Sequence, residues 1–440
     1  MTGNRNGSLP KFSSTDRLSQ GPPELRLKEE HCAVNEPHAT VEIALLTGGG
    51  DKPYALGMAA ALTSEGILLD FIGSDDLQVP ELLNNARINF LNLRGDQGPN
   101  VSPFAKARRI LNYYIRLVCY AATARPKIFH ILWTNKFVFF DRTLLLTYYK
   151  LLGKRIALTA HNVNAGKRDS NDSWLNRFSL KCEYILSDHI FVHTEKMKDE
   201  LSSEFGIPPG KVSVIPFGIN NTAPNTNLST EEAKRRLGLV NEDKAILFFG
   251  NIAPYKGLEY LVAAFGDLLQ TDSSYRLIIV GKPKGDENYW SRIHRAIVQR
   301  GIADRVIERI EYIPDEETEL YFKAADVLVL PYAHIFQSGV LFLGYSYGLP
   351  AIAADVGSLR EEIVEGETGL TFKARDSSAL ACAIEQYFAS ELFRQLERRR
   401  SQVKTYANER YSWSKVATIT TRIYSSLLEA DKTMSSPRLA

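Results

Sequence analysis

From Val41 onward the chain alternates short, nearly uninterrupted apolar runs with longer stretches in which apolar residues recur every three or four positions. Runs too short for a helix, separated by amphipathic helical stretches, are the pattern of repeated strand-helix units feeding a parallel sheet. The pattern occurs twice. The first series predicts strands over 41–47, 68–73, 127–133, 155–161, 189–194 and 212–218, and the second over 245–250, 275–281, 309–313, 326–332 and 350–357. Between them, NNTAPNTNLSTEEAKRRLGL breaks the rhythm with Asn, Pro and Thr before a charged helix, which places a domain boundary within 220–240. The predicted organisation is two Rossmann-like, doubly wound α/β domains over 41–222 and 241–405, then a helix over 406–428, with a disordered tail over 1–40 and a second tail over 429–440. Ligands of such sheets bind outside the carboxyl ends of the strands, so two facing domains predict a cleft site.

Length agrees, because 440 residues exceed what one hydrophobic core usually serves. Lys and Arg (53) nearly balance Asp and Glu (51), so the net charge of +2 gives no field for gripping nucleic acid. Cys32, Cys119, Cys182 and Cys382 are far apart and lack metal-ligand spacing, which predicts free thiols and no structural zinc. The polar start of the chain has no apolar signal region, and the most apolar stretch, 136–152, carries Asp141, Arg142 and Lys150. The expectation is a cytoplasmic protein, at most peripheral on a membrane face. The segment 104–127 interleaves Lys106, Arg108, Arg109 and Arg116 with apolar residues; it reads first as a surface helix with one core face, and second as a helix docking on an anionic membrane.

Three loops carry candidate chemistry. Gly48, Gly49 and Gly50 follow the first strand and precede a helix, a place where backbone can approach an anion or simply turn tightly. Gly250-Asn251-Ile252-Ala253-Pro254-Tyr255-Lys256-Gly257 opens the second domain and sets Lys256 between a strand end and a helix, where it can meet phosphate oxygens. The segment from Leu330 through Gln337, Ser338, Gly339 and Val340 runs from a buried strand into a helix whose first residues are small and polar. Its N–H groups are suited to a diphosphate, and Gln337 and Ser338 to sugar hydroxyls.

These loops, together with Gly348-Leu349-Pro350, Val356-Gly357-Ser358-Leu359-Arg360-Glu361 and Gly366-Glu367-Thr368-Gly369-Leu370, resemble the family 4 retaining glycosyltransferases. The resemblance implies the GT-B fold, with an acceptor-side first domain, a second domain that binds a nucleotide-sugar donor, and a last helix crossing back. It also implies that Lys256 meets the donor diphosphate, that Gly339 and Val340 form the phosphate-facing helix start, and that His161, in Thr159-Ala160-His161-Asn162-Val163, faces the donor sugar as a hydrogen-bonding group rather than a base. Glu361 matches a family glutamate. His130, His189 and His193 are expected in strands and their caps.

Three departures accompany the resemblance. Counting back from Gly348-Leu349-Pro350, the family's glutamate pair falls on Ile335 and Leu343, and its second phosphate-binding cation falls on Asn251. The Gln-Ser-Gly-Val loop resembles a subgroup of surface-polysaccharide transferases that lack that pair. Glu311 is a candidate replacement, accepting from ribose or base. With no DxD motif or His/carboxylate cluster, the expectation is transfer without a metal or other cofactor, from a nucleotide-sugar donor to a glycan or lipid-linked acceptor. The alternatives are an inactive, transferase-like scaffold subunit and another GT-B enzyme such as an epimerase or phosphorylase.

Overall fold

The computed structural model describes residues 41–98, 102–168, 172–219 and 225–435. The tail expected over 1–40, with Cys32, lies outside the described residues. Two parallel sheets organise the rest. The first contains β1 (Glu42–Leu46), β2 (Leu68–Gly73), β3 (Ile88–Asn92), β4 (Ile128–Ile131), β5 (Arg155–Thr159), β6 (His189–Val192) and β7 (Val212–Val214), in the order β3-β2-β1-β4-β5-β6-β7. The second contains β8 (Lys244–Phe249), β9 (Tyr275–Val280), β10 (Val306–Arg309), β11 (Val327–Leu330), β12 (Ala351–Ala354) and β13 (Gly369–Phe372), in the order β10-β9-β8-β11-β12-β13. Central strands such as Ile43-Ala44-Leu45 and Val327-Leu328-Val329-Leu330 are fully buried, because helices cover both faces of a parallel sheet. In each sheet the order reverses beside the first strand, between β1 and β4 and between β8 and β11. The loops leaving β1, β8 and β11 therefore converge on the two switch points.

Three elements depart from the sequence expectation. β3 was not predicted, because Ile88-Asn89-Phe90-Leu91-Asn92 is a half-exposed edge strand with two asparagines and no apolar run. β13 is short and half-buried, and its Gly369 and Thr371 hide it in the same way. β10 occupies Val306–Arg309 rather than 309–313, since its pairing with β9 sets Val306 against Leu277 and Arg309 against Val280, leaving Glu311 in the following loop.

At the C-terminus, one helix (Leu396–Arg410) packs on the second domain through Val403 and Ala407. After a break at Tyr411 and Ser412, a second helix (Trp413–Ser435) crosses to the first domain. Val416 and Tyr424 are buried there beside Tyr54 and Met58, and the Tyr424 hydroxyl shares a 2.5 Å hydrogen bond with His130 Nδ1 inside β4. The helix runs on into the segment expected as a tail from 429; only 436–440 of that segment lies outside the described residues. Cys119, Cys182 and Cys382 are free thiols, and no described helix is long and apolar enough to cross a membrane.

Candidate active site

The switch-point loops enclose a cavity of about 530 Å³, to which the first domain contributes Asp51 and Tyr54 and the second Lys256, Gln337, Ser338 and Gly339. Another cavity, about 640 Å³, opens between Asp70, Arg87 and Arg125, but beside the starts of β1 and β2, where no strand-end loop delivers side chains.

Lys256 ends a 3-10 turn, Pro254–Lys256, that leaves the β8 strand end. Gly257 follows at φ +65°, and a Cβ there would lie 2.0 Å from the Pro331 carbonyl oxygen, so only glycine lets this loop close onto the β11 loop. The Lys256 ammonium is buried, lies 3.9 Å from the centre of the Tyr332 ring and donates to the Tyr332 hydroxyl. That hydroxyl also shares a 3.1 Å hydrogen bond with Ser338 Oγ. Ser338 is the N-cap of the helix Gly339–Ser346, but its side chain is turned to Tyr332 and makes no capping bond. The helix start, with its exposed N–H dipoles, is thereby left open to the cavity beside a lysine.

Gln337 lines the same cavity and donates from Nε2 to Glu362 at 3.4 Å, while its Oε1 is buried with no hydrogen-bond partner among the described residues. Glu362 is buried and accepts from the Tyr411 hydroxyl; burial pushes its carboxyl upward, opposed by that bond. Thus a chain of polar groups joins the end of the helix Leu396–Arg410 to the cavity wall. Ile335 and Leu343, the positions where the resemblance implied glutamates, do line the cavity and make this part of the wall apolar.

The other expected residues stand further off. Glu361 is exposed, one position from the inward-facing Glu362, because the short helix Leu359–Glu362 turns its first and last residues, Leu359 and Glu362, inward and the two between them outward; the Glu361 carbonyl accepts from Arg410. Glu311 is exposed, ion-paired with Arg309, and reaches the cavity only through its neighbour Tyr312. Asn251 is half-buried and does not line the cavity. Gly49 (φ +78°) and Gly50 do not line it either: a Cβ on Gly49 would meet the Arg94 guanidinium at 2.0 Å, and one on Gly50 the Trp133 ring at 1.9 Å. Those glycines let the loop pack, and it is the next residue, Asp51, that faces the cavity.

His161 lies behind Tyr54. Its ring stacks on Trp133 at 4.3 Å with the planes 6° apart, meets the Tyr54 ring edge-on at 4.7 Å, and shares a 3.0 Å hydrogen bond through Nδ1 with His193 Nε2. Burial, followed by the neighbouring His193 and His130, holds its pKa well below the usual range, so the imidazole is neutral. His130 and His189 lie in strands, whereas His193 leaves β6 to complete this aromatic cluster.

Sequence reasoning missed Asp51, Tyr54, Phe217, Asp315 and Trp413. Asp51 carries a local signal, since an Asp before Lys-Pro caps the helix Lys52–Ser64 by accepting from the Tyr54 N–H at 2.9 Å. Asp51 and Asp315 face one another across the cleft; burial, then the Tyr54 bond in opposition and the Asp315 charge, leaves the Asp51 carboxyl raised. Phe217 stacks on Phe342 of the other domain at 5.2 Å, a pairing no local signal reveals.

Residues 48–222 match the family model described as Glycosyltransferase Family 4, and residues 229–410 the one described as Glycosyl transferases group 1; together the two span well over half of the chain. The chain belongs to the group 1 glycosyl transferases. This glycosyltransferase is 27% identical over 292 residues to a D-inositol 3-phosphate glycosyltransferase of Corynebacterium efficiens, covering 64% of this chain and 68% of the relative. It is 30% identical over 250 residues to the protein of the same name from Corynebacterium diphtheriae, covering 54% and 58%. The chain therefore spans about half to two thirds of the length of these curated relatives. Among solved structures, sucrose-phosphate synthase from Thermosynechococcus elongatus superposes with a TM-score of 0.70 at 20% identity, over 89% of this chain and 100% of that one. Anabaena HepE, in complex with UDP and glucose, superposes with a TM-score of 0.68 at 16% identity, over 88% and 100%. The glycosyltransferase thus has the GT-B fold, with its cavity between two doubly wound domains.

Proposed function

We propose that this glycosyltransferase moves a hexose from a nucleoside diphosphate sugar to a glycan or lipid-linked acceptor, with retention of anomeric configuration and without a metal ion, in the assembly of a surface polysaccharide. The observation that carries the reading is the convergence of the buried Lys256 ammonium and the uncapped start of the helix Gly339–Ser346 on one cavity. In a retaining transfer the acceptor hydroxyl attacks the anomeric carbon from the face that the diphosphate leaves, so stabilising the leaving group is the main task. Lys256 and the N–H groups at Gly339 and Val340 would meet that developing charge, a preorganised contribution of several kcal/mol. Gln337, held from behind by Glu362, is assigned to a donor hydroxyl through its unpartnered Oε1 acceptor. The neutral His161, held by Trp133 and His193, is assigned to the sugar as a hydrogen-bonding group reached when Tyr54 moves aside.

Two further parts belong to this reading. The metal-free part of the reading rests on Lys256 and the helix start, which would meet the diphosphate charge themselves. The helix Pro103–Thr123 exposes Phe104, Leu111 and Ile115 beside Lys106, Arg108 and Arg116, which supports peripheral contact with an anionic membrane; sedimentation with anionic vesicles tests it. Calorimetry against uridine, guanosine and adenosine diphosphates and their sugars, with and without magnesium, tests the main reading. Metal-independent binding of one nucleotide, followed by its release in the presence of an acceptor, is the expected result. The apolar Ile335 and Leu343 favour a second reading, a transferase-like subunit without turnover; absence of binding across the panel would select it.

A further inference from the structure

Glu362 is 5% exposed, and a carboxylate buried so deeply is costly unless its oxygens are matched. Both are. Oε2 accepts from the Tyr411 hydroxyl, and Oε1 from Gln337 Nε2 at 3.4 Å. The main chain of Glu362 is pinned as well, since its carbonyl accepts from the Tyr345 hydroxyl at 2.9 Å. The two side-chain partners stand in different places. Gln337 lines the donor cavity just before the helix Gly339–Ser346. Tyr411 stands at the domain junction: its carbonyl accepts from the Ile219 N–H at 3.0 Å, its ring meets Phe342 edge-on at 4.7 Å, and Phe342 stacks in turn on Phe217 of the first domain. A carboxylate accepts and does not donate, so Glu362 decides which end of the Gln337 amide it receives. The amide N–H faces Glu362, and Oε1 is turned to the other side, where it has no hydrogen-bond partner among the described residues.

We propose that Glu362 is a positioning residue for donor selection. It holds the Gln337 amide with its acceptor end toward the sugar and ties that orientation to Tyr411 at the domain junction, so the site takes a sugar that offers a donating hydroxyl there and rejects one that offers only an acceptor. The proposal rests on the transferase reading for the sugar; the amide orientation rests on the carboxylate. A hydroxyl that donates satisfies the unmatched Oε1, whereas fluorine in its place accepts only and sets lone pair against lone pair. Tyr411 acts at one remove, because without its hydroxyl Glu362 loses one of the two side-chain bonds that hold it.

The test is calorimetric titration of the full chain with uridine, guanosine and adenosine diphosphates, with their glucose, galactose and mannose forms, and with the tightest-binding sugar nucleotide singly deoxyfluorinated at each sugar hydroxyl. In the wild type, fluorine at one position should cost about tenfold in affinity, the worth of one hydrogen bond. Glu362→Gln, whose amide can present either end to Gln337, should shrink that penalty to about threefold or less while the bare nucleoside diphosphate keeps its affinity within about twofold. Gln337→Ala should abolish the same penalty, and Tyr411→Phe should reduce it, which supplies a second variant if Glu362→Gln does not fold. A merely structural Glu362 would weaken bare diphosphate and sugar nucleotide alike and leave the penalty untouched; that result overturns the proposal. So does a wild type without a penalty at any position, or a penalty that Gln337→Ala removes and Glu362→Gln leaves in full. If no nucleotide binds the wild type, the transferase reading falls and the donor role of Glu362 with it; nucleotide binding with an unchanged penalty in the variants removes the positioning role alone.

Discussion

At the residue scale, the site depends on side chains whose environment matters more than their identity. Lys256 is buried against Tyr332, and Tyr332 in turn occupies the hydroxyl of Ser338. Replacing Lys256 with Ala should lower turnover about tenfold to a thousandfold, the loss of one charge-assisted phosphate contact worth roughly 1.5–3 kcal/mol or somewhat more in a closed cleft; steady-state kinetics with the identified donor would show it, and unchanged turnover would remove Lys256 from the site. The buried histidines make a second prediction. Burial brings His130 down to about 3, and His189 and His193 to about 4. Their folded pKa values lie below the ordinary value near 6.5, so the unfolded chain binds protons that the native one refuses, and stability is lost as pH falls below that value. For fully buried His130 the loss between pH 7.5 and 5.5 is about 1.4 kcal/mol. Asp141 and Glu183, raised by burial to about 6 and about 7, oppose this trend because their native forms take up protons over the same range. The comparison is therefore between wild type and His130→Gln: the urea midpoint should fall less with acidification in the variant, and equal slopes would refute the assignment.

At the scale of elements, the crossing helix is fitted by absences. Gly57 and Gly218 both lie under the Trp413 ring, where a Cβ on either would come within 2.3 Å of it, and the Trp413 indole donates to the Ile219 carbonyl at 3.0 Å. Trp413 cannot move away cheaply, because Val416 and Tyr424 on the same helix are already buried in the first-domain core. Gly57→Ala should therefore cost about 1–3 kcal/mol by overpacking. Chemical denaturation would read the loss, and hydrogen exchange should show faster opening confined to Trp413–Ser435 and the facing helix Lys52–Ser64; a variant as stable as wild type would mean the helix packs less rigidly than these distances require.

At the scale of the whole molecule, the last helix makes the two sheets one object. It starts beside Tyr411, whose hydroxyl bonds Glu362 behind the cavity wall, and ends in the core of the other domain. A chain terminated after Ser412 exposes the apolar surface that Val416 and Tyr424 cover, so the first domain should become insoluble or lose most of its thermal stability. Recovery of a soluble, cooperatively melting chain of that length would show that the first domain folds without it. With the full chain, a nucleoside diphosphate at a hundred times its Kd should stabilise by about 2.7 kcal/mol through linkage, a shift that Lys256→Ala should reduce, as a thermal melt would report.

The periodicity of apolar residues determined most strands, the doubling of the sheet and the break between its halves, because burial on both faces of a parallel sheet forces continuous apolar runs. Edge strands β3 and β13 escaped it because they are only half-buried. Local chemistry likewise marked Lys256 and Gln337–Val340, whose loop-to-helix position is written in consecutive residues. Which carboxylate faces inward was not written there: Glu361 and Glu362 are adjacent, and only the turn of one short helix against Tyr411 distinguishes them. Asp51, Phe217, Asp315 and Trp413 come from separate segments of both halves, so their meeting around one cavity is a property of domain docking. The same holds for His161, whose strand-end position was legible but whose place behind Tyr54 follows from the packing of Trp133 and His193 around it.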